Sequence, residues 1–393
     1  MITGTPTVGV RVRRHPLLLA LLLLIVMRST AAAQTPAGSD PDPPATAKPD
    51  ADAGILSFFR SVELGALMDG YYDYNGNKTP GDAPFRNFDT KHNQFGFSMA
   101  EVWLNKVPTA DQRAGFNIKL NYGPAATLIH ASEPSTTAIF QNIEQGYVSY
   151  LVPVGKGLQV DFGKFVTQHG AEVIEAKDNW NYSRSLLFAL AIPYYHMGAR
   201  ATYTFNDKFS LMGDIVNGWN DVVDNNSRKT YGLMATVKPI SAVSIVQNYM
   251  GGPEQPNDDK DWRHLSDTTV TVTPTPAVSL MANVDYGKDT VAGAAVHWAG
   301  IAGYARIQAN KWVAVSPRFE WFEDPQGFMT GAAQTLKEVT LTSEVKVAGN
   351  ILWRIELRRD ISDVASFKQD TGAFVKHQNT IGFGLLYSFS TKP

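Results

Sequence analysis

Two groups of charged residues in this chain could do chemistry. One sits in a single long stretch, 167–195, which carries Glu172, Glu175, Lys177, Asp178 and Arg184, with Trp180 among them. The apolar run Leu186-Leu187-Phe188-Ala189-Leu190 follows directly. The other group is spread along the chain: Arg200, Arg306, Arg318, Arg354 and Arg358, with Asp69, Asp73, Asp161, Glu320, Glu338, Glu344 and Glu356 as acidic counterparts. A row of guanidinium groups facing a row of carboxylates sets up a transverse field, which orients dipolar solutes and discriminates between ions. The plainer reading is that such charges pair with one another and hydrate a polar face.

Other chemistries find little support. His169, His196 and His297 match no metal-ligand spacing. Ser183 lies in no G-x-S-x-G elbow, and neither a phosphate loop nor a basic nucleic-acid patch is present. The chain has no cysteine, which excludes disulfides and thiolate metal sites. No enzyme, no cofactor, no metal and no nucleic-acid partner is therefore expected.

The elements that must position these charges follow a period of two. Val62, Leu64, Ala66, Met68, Tyr72 and Tyr74 alternate with Glu63, Asp69 and Asp73. Phe116, Ile118, Leu120 and Tyr122 alternate with Asn117, Lys119 and Asn121. The pattern returns in 196–205, 278–286, 338–347 and 351–358. It ends with Ile381, Phe383, Leu385, Tyr387 and Phe389 against Thr380, Gly382, Gly384 and Ser388. Alternation marks a strand whose two faces meet different solvents. Segments of about ten residues suit a tilted strand crossing a bilayer, whereas soluble strands run to about five or six. Full charges occupy the polar face, and aromatics such as Tyr122, Tyr203, Tyr286, Trp321 and Tyr387 end the apolar face, as at lipid headgroups. Two segments resist. In 93–105, Phe95, Phe97 and Met99 fall in phase with Glu101 and Trp103, which predicts a bulge near Met99. Segment 263–273 is rich in Thr and alternates weakly.

Connections alternate between short turns, such as Asn206-Asp207 and Gly349-Asn350, and longer loops near 75–92, 124–142, 167–195, 220–229, 252–262, 288–292, 324–334 and 361–377. This predicts an all-β, transmembrane, antiparallel up-and-down barrel over 61–390, of about 16 strands. Short turns would face the periplasm and long loops the exterior, and fourteen or eighteen strands stay open. The N-terminus reads as an export signal over 1–33: Arg11, Arg13 and Arg14, the apolar run Pro16 to Met27, then Ala31-Ala32-Ala33. That run is too short to span a membrane. Residues 34–60 read as a Pro/Ala/Asp-rich periplasmic tail. Removing 1–33 takes four arginines and no acid, leaving 31 basic against 37 acidic residues, a charge of −6.

In hydrocarbon no water satisfies an open sheet edge, so the first and last strands must pair. At about sixteen strands the closed sheet encloses an aqueous lumen unless something fills it. The long stretch 167–195 either folds into that lumen and narrows it or caps the barrel from outside with a short helix. Its apolar run favours the first.

Several stretches carry a resemblance. Tyr147-Val148-Ser149-Tyr150-Leu151, Asp161-Phe162-Gly163-Lys164-Phe165, Asp178-Asn179-Trp180-Asn181-Tyr182-Ser183-Arg184-Ser185, Asn217-Gly218-Trp219-Asn220, Gly303-Tyr304-Ala305-Arg306 and Gln334 to Thr340 resemble the OmpL-like β-barrel porins of Gram-negative bacteria. The resemblance runs from about Leu64 to Phe389 and implies an outer-membrane porin passing small hydrophilic solutes and ions, in contact with outer-membrane lipid and lipopolysaccharide. The four residues after Phe389 depart from the terminal aromatic common in such barrels. A homotrimer is expected by analogy with sixteen-stranded general porins. A surface-binding barrel acting through its outer loops is the alternative function.

Overall fold

The computed structural model describes residues 57–133 and 140–392, so the expected export signal and most of the tail lie outside the described residues. Sixteen antiparallel strands close into one barrel. In chain order they are β1 (Glu63–Asn75), β2 (Gln94–Lys106), β3 (Ala114–Tyr122), β4 (Ile143–Val152), β5 (Leu158–Val166), β6 (Tyr195–Asn206), β7 (Phe209–Val216) and β8 (Thr230–Val237). Then follow β9 (Val243–Pro253), β10 (Trp262–Thr275), β11 (Val278–Val291), β12 (Ala294–Gln308), β13 (Val313–Asp324), β14 (Gln334–Ala348) and β15 (Ile351–Ser362). A two-residue hairpin, β16 (Phe367–Lys368) and β17 (Phe374–Val375), precedes the last wall strand, β18 (His377–Ser390). Each wall strand pairs with its neighbours in sequence, and β18 returns to β1 from Gly65↔Ser390 to Asn75↔Thr380. No sheet edge is left open, as hydrocarbon requires. Among the described residues no helix is long and apolar enough to cross a membrane.

The burial pattern is inverted relative to a soluble protein. Glu320, Glu338 and Thr342 are buried, while their strand neighbours Phe319, Val339 and Leu341 are about half exposed. The apolar face therefore looks outward and the polar face inward on most long strands, which is the arrangement that lipid outside and a polar interior select. The phase slip in β2 is resolved as expected. Asp69 pairs with Met99 and Gly70 with Phe97, so Ser98 is the extra residue, and beyond it Glu101 turns inward. The weakly alternating segment is β10. Its outward Ser266 and Thr268 are partnered by Gln247 of β9, whose amide donates to Ser266 Oγ and whose carbonyl accepts from Thr268 Oγ1.

Seven short connections lie at one rim, together with the start of β1 and the end of β18, and eight connections lie at the other. Two expectations are corrected. The connection predicted at 288–292 is only Ala292-Gly293, because β11 runs to Val291. Both residues have positive φ, 50° and 81°, the signature of a two-residue I′ turn. In addition β7 and β8 have eight residues each, shorter than the ten expected.

Candidate functional site

The longest connection, 167–194, leaves β5, crosses to strands on the far side and returns to β6. Its backbone is mostly irregular, with a 3-10 turn at Ala176–Asp178 and a π-helical turn at Leu187–Ala191. Irregular backbone away from bulk water must find partners for its own N–H and C=O groups. Here inward side chains of β9, β10, β12, β13 and β15 supply many of them.

Arg318 of β13 is one hub of this bonding. Its Nη1 donates to Glu172 Oε1 at 2.8 Å and to the Ser183 carbonyl at 2.7 Å, while Nε donates to Glu338 at 2.9 Å. Glu320 lies 3.2 Å from the same Nε, so one guanidinium serves three carboxylates. Arg354 of β15 donates to the carbonyls of Ala176, Asn179 and Asn181 at 2.5, 2.6 and 2.9 Å and is held by Glu344. Arg358 donates to the Arg184 carbonyl at 2.7 Å and pairs with Asp360. In the opposite sense Glu356 accepts from the Tyr182 and Ser183 amides at 2.8 and 3.1 Å. Tyr182 Oη reaches Asp69 of β1 at 2.7 Å. Asp267 of β10 accepts from Gly170 N at 3.1 Å. A planar guanidinium with five donors suits this work, since it can hold a wall carboxylate and loop carbonyls at once.

The apolar run is buried as its composition demands. Leu186, Leu187, Phe188, Ala191 and Ile192 pack in one cluster with Phe88, Trp298 and Phe322. The wall is cut back to admit them. A Cβ on Gly300 would stand 2.7 Å from Leu187 Cδ1, and one on Gly384 would stand 2.4 Å from the Tyr182 ring. Glycine at these two inward positions lets the loop lie directly on the sheet.

The five loop residues singled out from sequence separate into two sets. Glu172, Glu175 and Arg184 are buried: Glu172 on Arg318, Glu175 on Lys119, and Arg184 on the carbonyls of Tyr182 and Ile174 with its guanidinium over Phe88. Lys177 and Asp178 pair with each other at 2.6 Å, and the Asp178 side chain is about half exposed. The wall residues Asp69, Asp73, Asp161, Arg200, Arg318, Glu320, Glu338, Glu344, Arg354, Glu356 and Arg358 all face inward. Their pairings are local: Arg354–Glu344 and Arg318–Glu338 join adjacent strands, as does Arg200–Asp161 at 2.8 Å.

Sequence reasoning passed over Lys119 of β3. Its ammonium lies 3.8 Å from Glu101 and 3.4 Å from Glu144, and it also holds Glu175 from the loop. These three carboxylates gather within 4.8 Å of one another, and the lysine already neutralises part of their charge. Arg86, in the loop after β1, was missed too. It pairs with Asp89 at 2.9 Å and reaches Asp73 at 3.6 Å. The available signal was weak in both cases: a lone basic residue at an inward position, and an Arg-x-x-Asp spacing in a loop.

A closed sheet of sixteen antiparallel strands, polar within and apolar without, and lined by paired charges, defines the chain as an outer-membrane channel-type barrel. The chain belongs to the family described as "Putative beta-barrel porin-2, OmpL-like", whose model matches residues 61–389. No curated protein matches it by sequence. Among solved structures it is similar to an anion-selective porin from Comamonas acidovorans, with 11% identity over 84% of this chain and 99% of that one and a TM-score of 0.58. OmpT expressed in the outer membrane of Vibrio cholerae shares 12% identity, covers 84% of this chain and 97% of its own, and gives 0.56. The outer-membrane channel DcaP of Acinetobacter baumannii gives 0.56 at 13% identity, with the same coverage. At these identities the likeness concerns the fold.

Proposed function

We propose that the barrel is a diffusion porin for small hydrophilic solutes and ions, and that the 167–194 loop narrows its lumen. The observation that carries this reading is the set of bonds from Arg318, Arg354 and Glu356 to loop groups. They hold a loop that starts at β5 against strands on the far side. A loop held in this way reduces the cross-section without sealing it by a separate domain, and its partly buried Lys177 and exposed Asp178 would sit among the charges that ions pass. The charge of −6 after removal of 1–33 supports a modest preference for cations. The protein would be exported with cleavage after Ala33 and inserted in the outer membrane. A homotrimer is the expected assembly, since a trimer form is known for the structurally similar OmpT of Vibrio cholerae.

The test is single-channel recording of the refolded protein in a planar bilayer under a salt gradient. Stable open steps with a cation-selective reversal potential are expected. Deleting 176–189 should raise the conductance roughly twofold or more, as expected when a constriction is removed. A folded, inserted but silent barrel would overturn the channel reading, and an unchanged conductance in the deletion would overturn the constriction.

A further inference from the structure

Most inward carboxylates on the wall have a basic partner. Two that face each other do not. Asp267 of β10 and Asp285 of β11 stand directly opposite each other in register, and both are buried. Among the described residues neither forms an ion pair with a Lys or Arg, in contrast to Asp161, Asp289, Glu338, Glu344 and Asp360. Two buried like charges without a counter-ion are costly, so something must neutralise them.

The surroundings indicate what that is. Asn283 Nδ2 donates to Asp267 Oδ2 at 2.6 Å and to Asp285 Oδ1 at 3.2 Å, which holds the two carboxylates side by side. Asn248 of β9 is fully buried against Asp267. Its Nδ2 is committed to Asp267 Oδ1 at 2.6 Å and to the Gln168 carbonyl at 3.1 Å, so the amide orientation is fixed and Oδ1 is left without a partner. Asp285 Oδ2 and Thr269 Oγ1 also lack partners, and Thr269 faces Asn283 across the β10–β11 pair. His169, two per cent exposed at the root of the loop, makes no hydrogen bond at either ring nitrogen and no ion pair with either acid. Buried polar atoms are ordinarily paired, so this concentration of free oxygens beside an uncompensated acid pair marks a place for a ligand. The free atoms on Asp285, Asn248 and Thr269 are all oxygens, the donor set of a hard divalent cation, and Asp267 adds its charge beside them.

We infer that Asp267 and Asp285, with the side-chain oxygens of Asn248 and Thr269, bind a calcium-like divalent cation on the inner wall beneath the root of the 167–194 loop. The ion would supply the positive charge that arginine supplies elsewhere on the wall. Because Gly170 N and the Gln168 carbonyl are tied to Asp267 and Asn248, the ion would also stiffen the point where the loop leaves β5.

The experiment uses the full chain folded in detergent, stripped with EDTA and titrated with Tb³⁺ followed by luminescence, with Ca²⁺ as competitor. One saturable site displaced by Ca²⁺ is expected, and Ca²⁺ should raise the melting temperature above that in EDTA. Asp285→Asn, which keeps the side-chain size, should weaken binding about tenfold or more and abolish the Ca²⁺ shift, since affinity follows the count of charged ligands. Glu323→Gln, elsewhere on the wall, should leave both unchanged. Absence of a saturable site in the wild type would overturn the inference. So would equal affinity in the wild type and in Asp285→Asn. If Asp285→Asn melts higher than the wild type and neither responds to Ca²⁺, the pair shares a proton instead and holds no metal. None of these readouts depends on ion conduction.

Discussion

Two sectors of the same wall use one alphabet differently. On β13–β15 the inward charges lie under the loop and are buried, and Arg318, Arg354 and Glu356 are each bonded to several groups. On β5–β8 the inward groups are fewer and wetter. Arg200 there serves one carboxylate, Asp161, and a cavity of about 190 Å³ opens among Gln159, Gln168, Thr202, Met212 and Met234. The side-chain exposures make the contrast concrete: none for Arg318 and 19% for Arg200. A charge pair in water contributes little because hydration competes with it. A dry pair cannot be broken without stranding a buried ion. The covered sector is therefore a structural joint written in charges, and under the proposed function the uncovered sector is the surface that a solute would meet.

The sharpest way to break this contrast is to remove one arginine from each sector. Arg318→Met leaves Glu172, Glu320 and Glu338 without their shared guanidinium and should cost about 3–5 kcal/mol, the range for stranding buried partners. Denaturant unfolding followed by tryptophan fluorescence measures it, and the loop should become protease-sensitive. Gly384→Leu comes next. It fills the space taken by the Tyr182 ring and should cost about 1–3 kcal/mol as overpacking while raising single-channel conductance. Arg200→Met should cost under about 1 kcal/mol and instead shift the reversal potential toward cations. Equal unfolding costs for the two arginines would remove the distinction between the sectors.

The smallest expected effect lies at the rim, in the loops that follow β7 and β9. Burial, reinforced by Glu254, pushes Asp221 up to about 7, and burial pushes Glu254 up to about 6 against the pull of Arg263. Both values are raised, so the stabilising contribution is full at acid pH and is lost as pH rises through 6 to 7. Amide exchange in 217–229 and 254–261, corrected for intrinsic rates, should be a few-fold slower at pH 5 than at pH 8, while the covered sector should not change.

Strand number, facing and the β2 bulge were legible because alternation is a local signal and lipid on one side makes it strong. The burial of Leu186, Leu187 and Phe188 was legible because water would reject such a run. The bonding partners were not. Tyr182 meets Asp69 and Glu356, residues 113 and 174 positions away, and no local pattern encodes such pairs. Lys288-Asp289-Thr290 read as part of a loop because it is polar, yet the register with His297, Val296 and Ala295 carries the strand on to Val291. Asp267 and Asp285 were hidden for a similar reason: each looks like an ordinary lumen acid until its opposite number is known.

Tyr182 touches three consecutive wall strands. Its backbone amide is on β15, its ring lies over Gly384 of β18 and its hydroxyl is on β1. Those strands flank the seam where the last-made part of the chain meets the first. The contact cannot be complete until the seam has closed, since before that β1 and β18 are the two ends of an open ribbon. Loop seating is thus a late event in assembly, waiting on the longest-range pairing in the molecule. Once seated, the residue works as a clasp on the inside of the join, and unzipping the barrel at its seam would first require pulling the loop free.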